Sequence, residues 1–296
     1  MGKPENILLK AATGLEGGLV ASGSTCGVVS GGSLGLALAL DEAVTAAGGR
    51  GEAALINMAG DYARWFAGTY GSTACKGRVG VDFRTLSGQV RYFVGPDKIA
   101  KCMSHIAGAF GWLDKAISGG LPKDLPKAWG ADEPGIHCAR AVLSGVRQRT
   151  GVSDPLLERL SYVYDGGVGL SGGACGALVG AVLSINLILG MDLRNVPYLK
   201  TLKPFLVGHK NVLTSPKPGK PEPFGVGKAV IDRFHETAGH TPCSIITGRS
   251  FSGWEDFASY RISGKCGDII NSATDAACAA IGAITAAGKA GFAEAS

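Results

Sequence analysis

Apolar residues recur every three or four positions along several stretches of the chain, the spacing of one face of an α-helix. Cys266, Ile270, Ala273, Ala277, Ile281 and Ile284 form the longest such stripe. Cys102, Ile106, Phe110 and Leu113 form a second, and Cys138, Val142 and Val146 a third. Each pattern points its cysteine toward the buried side of a helix. Two further stretches, Gly17 to Leu40 and Gly166 to Met191, carry no charge and run from a glycine-rich opening into an apolar segment. The strongly apolar part of the second, Ala177 to Met191, is shorter than the roughly 20 residues that span a bilayer. Both are therefore expected as buried helices, and a membrane is not expected as a partner. The pattern predicts helices near residues 27–40, 53–67, 97–118, 136–150, 176–190, 226–238 and 264–286, with little strand.

The glycine-rich openings are copies of one another. Gly17-Gly18-Leu-Val-Ala-Ser22-Gly23-Ser-Thr-Cys26-Gly27-Val-Val-Ser-Gly31 aligns without a gap on Gly166-Gly167-Val-Gly-Leu-Ser171-Gly172-Gly-Ala-Cys175-Gly176-Ala-Leu-Val-Gly180, an offset of 175 − 26 = 149. Downstream, Phe66-Ala-Gly-Thr-Tyr-Gly71-Ser-Thr73-Ala-Cys75 aligns on Phe234-His-Glu-Thr-Ala-Gly239-His-Thr241-Pro-Cys243, and Lys101-Cys102 on Lys265-Cys266. Three cysteines thus recur in the same order with matching neighbours, the mark of an internal duplication. The prolines and charges of residues 121–135 read as a linker. The organisation is a first repeat over 1–120, the linker, and a second repeat over 136–296. A proline-rich stretch from Ser215 to Phe224 cannot continue a helix and reads as an exposed excursion.

Composition narrows the chemistry. With 46% apolar residues among 296, the chain can bury a core, and 47 glycines with only 7% aromatics suggest closely packed small-residue helices. The formal charge of +5 comes without a basic stripe interleaved with aromatics, so nucleic acid is not an expected partner. No dinucleotide loop or P-loop is present, and no nucleotide is expected. The first ten residues lack the features of a signal peptide, so the chain is either cytoplasmic or has its leader missing. Eight cysteines without an export signal favour catalysis or metal binding over a disulfide framework.

These residues resemble the C-GCAxxG-C-C family of redox-active proteins. The second half is similar to a complete member: Cys138 opens it, the double glycine and Cys175-Gly176-Ala177-Leu-Val-Gly180 supply the central motif, and Cys243 and Cys266 follow. The first half departs from the pattern. Val28 stands in place of the motif's alanine, and the opening cysteine would fall before residue 1, since 138 − 149 = −11. The resemblance implies electron transfer or redox chemistry on a helical fold. A related domain occurs in split-Soret cytochromes beside an iron–sulfur centre and covalent haem, but no C-x-x-C-H is present here, so no c-type haem is expected.

The expected cofactor is an iron–sulfur cluster held by Cys138, Cys175, Cys243 and Cys266, the number of thiolates such a centre takes. Cys26, Cys75 and Cys102 form a weaker second set. His105, one helical turn from Cys102, either completes that set or is a polar residue at a helix edge. Two other readings stay open: thiol–disulfide exchange between a pair of these cysteines, and a metal-free scaffold whose cysteines are core residues. Cys278, about 120° around its helix from Cys266, reads as a core residue. Ser22 and Ser171 read as turn residues, His137 and His235 as lying on flanking faces, and Arg78 and Arg249 either tune an anionic centre or pair with surface carboxylates. The expected architecture is all-α, two homologous helical bundles forming a pseudo-twofold pair. A redox protein partner is expected, and self-association is compatible with the reading.

Overall fold

The computed structural model describes residues 6–128, 130–131, 133, 135–192, 196–214 and 221–293. The first half consists of α1 (Asn6–Ala12), α2 (Gly27–Ala39), α3 (Asp41–Ala47), α4 (Gly49–Tyr70), α5 (Cys75–Val79), α6 (Leu86–Val94) and α7 (Pro96–Gly119). The second consists of α8 (Cys138–Thr150), α9 (Pro155–Leu160), α10 (Gly176–Leu189), α11 (Tyr198–Leu213), α12 (Pro223–Ala238), α13 (Cys243–Thr247), α14 (Trp254–Ile262) and α15 (Gly267–Ala293). All seven helices expected from the apolar pattern are present. Among the described residues there is no strand, only two isolated antiparallel bridges, Thr25 with Ala74 and Ala174 with Pro242. Most of the proline-rich excursion, residues 215–220, lies outside the described residues, and Glu222 then caps α12 by accepting from the Phe224 and Gly225 backbone N–H groups.

The duplication is visible in space as well as in sequence. Before each motif cysteine, five consecutive residues adopt positive φ: Gly17 to Ala21 in the first half and Gly166 to Leu170 in the second. Left-handed backbone costs roughly 1–2 kcal/mol per non-glycine residue, so a run of this kind is held by its surroundings. The same ladder holds both. Val20 N–H donates to Gly14 O and Gly23 N–H to Gly17 O, matched by Gly169 to Val163 and Gly172 to Gly166. The Ser22 and Ser171 hydroxyls close the turns on the Gly18 and Gly167 carbonyls, at 2.7 Å each. Glycine is required at Gly18 because a Cβ there would come 2.7 Å from Cys75 Cβ.

These turns join the two halves. Val20 of the first turn packs on Gly227 of α12, and Gly169 of the second packs on Ala59 and Gly60 of α4. Between them Thr25 Oγ1 accepts from Ala174 N–H at 2.7 Å. Thr25 and Ala174 are equivalent positions, so this bond lies on the pseudo-twofold relation itself. Across the join α10 packs on the short 3-10 turn Thr13–Leu15 and α2 on its counterpart Ser161–Tyr164, and Tyr164 donates its hydroxyl to Ser30 O.

Helix α10 is the centre of the second half. Residues Gly176 to Leu187 are all buried, which accounts for its uncharged, mostly apolar sequence; its two polar side chains, Ser184 and Asn186, donate to the Gly180 and Val182 carbonyls. It packs on α8, α12 and α15. Over Gly267–Ala287, α15 is long and apolar enough by length and composition to cross a membrane; its Ala273, Ala277 and Ile281 face the core.

Candidate functional site

The elements that carry the second half's four motif cysteines bring them to one place. Cys138 is the first residue of α8, Cys175 caps α10, Cys243 opens α13 and Cys266 immediately precedes α15. The single bridge sets two of them: Cys175 N–H donates to Thr241 O at 2.9 Å and Cys243 N–H to Gly173 O at 2.6 Å. The other two are brought in by packing of α8 on α10 and α15. The close approach uses glycine, since a Cβ on Gly176 would meet Cys138 Cβ at 3.1 Å, and one on Gly180 would meet Ala139 O at 2.8 Å.

All four thiols line one cavity of about 10 Å³, walled by Ala177, Ile246, Thr247, Phe251, Phe257, Ile269 and Ile270. That is room for roughly one water and none for an organic substrate. Burial pushes every one of the four toward the neutral thiol: Cys175 up to about 11, and Cys138, Cys243 and Cys266 upward as well. Arg261 works against burial at Cys266 by its charge and a hydrogen bond. Its guanidinium is fixed by the Ile136 and Gly135 carbonyls, at 3.0 and 2.6 Å.

A polar chain leaves this cavity toward the surface. Asp165, fully buried, accepts from Cys138 N–H at 2.8 Å and bonds His137 Nδ1 at 2.6 Å. His137 Nε2 meets Glu52 of the first half at 3.0 Å, and Arg140 donates to the same carboxylate at 2.6 Å. Burial opposes the charge on His137, but Asp165 and Glu52 together outweigh it and hold the imidazole above its ordinary value. Glu52, His137, Arg140 and Tyr162 line a separate surface pocket of about 790 Å³. His137 is thus not on a flanking face. It is stacked on Trp254 with ring centroids 5.5 Å apart, inside the join between halves.

The first half repeats the backbone and changes the chemistry. Cys26 N–H donates to Thr73 O and Cys75 N–H to Ser24 O, both at 2.7 Å. Here the two thiols share a hydrogen bond, which lowers Cys26 to about 7 against its burial, helped by the Val28 and Val29 N–H groups and by Arg78. The same bond raises Cys75. Cys102 accepts from the Tyr92 hydroxyl at 3.5 Å. All three cysteines lie at the floor of an open groove of about 620 Å³. The stripe of Cys102, Ile106 and Phe110 is not covered as its period suggests: Phe110 is 67% exposed.

The remaining candidates are elsewhere. His105 bonds Arg78 at 2.7 Å and packs on Tyr70 and Phe66, so it takes the reading of a polar residue at a helix edge. Arg249 pairs with Asp256 at 2.5 Å, and His235 bonds Thr241 at 2.8 Å. Cys278 is half-buried and lies outside both cavities. Among the described residues no three His, Cys, Asp or Glu side chains are grouped as a site for a metal ion.

No curated protein and no solved structure matches the chain. The model of one family, described as "Putative redox-active protein (C_GCAxxG_C_C)", matches it twice, over residues 1–116 and 136–280. Two copies of that pattern account for most of the chain and for both cysteine sites, and the protein belongs to the C_GCAxxG_C_C family of redox-active proteins.

Proposed function

We propose that the second half binds an iron–sulfur cluster through Cys138, Cys175, Cys243 and Cys266, and that the protein uses it to exchange electrons with a redox partner. The observation that carries the reading is the convergence of four cysteines from four separate segments on one closed, apolar cavity. Four sulfurs converging on one apolar cavity are the ligand set such a centre takes. Four neighbouring thiols raised by burial are poor free nucleophiles, whereas a cationic centre draws off their protons and takes their charge.

Bound there, the cluster would supply one-electron chemistry. The chain's own part is to tune and shield it. Arg261 places a positive charge and a hydrogen bond at Cys266, which favours the more reduced, more negative state. Phe251, Phe257, Ile269 and Ile270 exclude water, and Asp165 fixes Cys138 through its backbone N–H. The test is purification without oxygen, then iron and sulfide analysis with an absorption spectrum. The native chain is expected to carry iron, sulfide and visible colour, and Cys175→Ala and Cys243→Ser to lose them with helical circular dichroism retained. A folded native chain free of iron and sulfide overturns the proposal.

A further inference from the structure

The first-half groove is the same fold with one wall open. In the second half, α8 lies along α10 and seals the sulfurs. In the first half α1 corresponds to α9, since 155 − 6 = 149, and α2 packs on α4 and α7. The consequence is read at equivalent glycines. Gly180 is pressed on Ala139 and Val142 of α8, whereas at Gly31 no neighbouring heavy atom comes within 4 Å of where a Cβ would stand. Cavity volume rises from about 10 to about 620 Å³, within the range of small-molecule sites.

We infer that this groove is a thiol–disulfide exchange site in which Cys26 and Cys75 reduce an apolar, uncharged small-molecule disulfide. Three observations point to it. Cys26 and Cys75 both line the groove, and the Thr25–Ala74 bridge holds their backbones side by side, Cys26 N–H on Thr73 O and Cys75 N–H on Ser24 O, so one can attack and the other resolve. Cys26 caps α2, where backbone N–H groups favour a thiolate. The walls are apolar, with Phe83, Val28, Ile106 and Phe110, and Glu16 is the one carboxylate among the lining residues; its negative charge disfavours anionic substrates.

The chemistry balances without a cofactor. Cys26 thiolate attacks one substrate sulfur, the substrate S–S bond breaks, and the first thiolate leaves and takes up the proton that Cys26 released. Cys75 then gives up its proton and attacks Cys26 Sγ in the mixed disulfide, and the second substrate thiol leaves with that proton. Two electrons pass from the dithiol to the substrate disulfide, leaving a Cys26–Cys75 disulfide that an external dithiol restores. The inference is independent of whether the second half binds a cluster.

The test uses the full chain carrying Cys278→Ser, reduced, freed of reductant and mixed without oxygen with the neutral aromatic disulfide 4,4′-dithiodipyridine. Two equivalents of thiopyridone are expected in the first phase, with peptide mass mapping placing a disulfide between Cys26 and Cys75. Cys75→Ser should stop at one equivalent with the adduct retained on Cys26, and Cys26→Ser should slow the phase about tenfold or more. Oxidised glutathione, which is anionic, should react about tenfold more slowly. Phe110→Ser, at an exposed rim position, should slow the neutral aromatic disulfide more than oxidised glutathione. First-phase reaction at cysteines other than Cys26, or release of both equivalents by folded Cys75→Ser, overturns the inference.

Discussion

Cys26 and Cys175 stand at equivalent positions. Each follows a five-residue left-handed turn, each is fixed by one antiparallel bridge, and each caps an apolar helix. Yet Cys26 is eased toward ionisation at about 7, while burial drives Cys175 up to about 11. The backbone therefore does not decide the chemistry of these sulfurs. Their neighbours decide it: the Cys75 thiol holds Cys26 low through a hydrogen bond, whereas burial leads at Cys175, whose closed cavity has as its counterpart an open groove along α2 and α7. One duplicated frame supports a sealed four-cysteine site and an open three-cysteine groove.

The comparison can be strained first at its acidic residues. Asp165 and Glu16 are equivalent, 149 residues apart. Asp165 is fully buried and holds both His137 and the Cys138 N–H, whereas Glu16 is partly exposed beside His209, at 3.3 Å. Asp165→Ala should lower unfolding stability by about 3–5 kcal/mol, the range for breaking a buried pair. Glu16→Ala should cost about 1 kcal/mol or less. Urea denaturation followed by circular dichroism measures both, and similar losses would contradict the asymmetry.

The glycines give the next largest contrast. Gly180→Ala forces a methyl against Ala139 O and should cost about 1–3 kcal/mol by overpacking. Gly31→Ala meets nothing and should gain up to about 1 kcal/mol from helix propensity. Opposite signs in the same denaturation experiment support an open groove over α2, and a cost at Gly31 would place a covering segment there.

A smaller effect concerns acidity. The rate of Cys26 alkylation should rise with pH through a midpoint of about 7 and level off above it. Its hydrogen bond from Cys75 is the largest cause of that low value, so Cys75→Ala, which removes the donor, should move the midpoint upward, each unit being worth about 1.4 kcal/mol. Rate against pH, read by peptide mass mapping, checks both; an unmoved midpoint contradicts the assigned cause.

Most of the long elements and the motif cysteines are legible in the sequence; α11, 16 residues long with Pro204 inside it, is not. The stripes of α7, α8 and α15 and the uncharged apolar runs of α2 and α10 are visible in the residue spacing, and Cys175, Cys243 and Cys266 are identifiable because they recur with their neighbours, Cys138 by the family pattern. The short helices α3, α5, α6, α9, α13 and α14 span at most nine residues, too few for a period to register. The polar chain of Glu52, His137 and Asp165 joins residues far apart in sequence and across the two halves, which no local pattern encodes. One signal was available: an acidic residue directly precedes the double glycine in both halves, as Glu16 and as Asp165. The stripe of Cys102, Ile106 and Phe110 shows the converse. Its period describes a face ready to be covered, and the cover is supplied in the second half by a helix that the period itself does not mention.

The central claim, that one frame carries a sealed metal-binding site and an open thiol groove, is tested most directly by native alkylation without oxygen. Protein as purified is treated with iodoacetamide before and after iron removal, and each cysteine is scored by peptide mass mapping. The account predicts that Cys26 is labelled at once, while Cys138, Cys175, Cys243 and Cys266 stay unlabelled until iron is removed. Equal labelling of both sets before iron removal, or protection of Cys26 together with the other four, would contradict it.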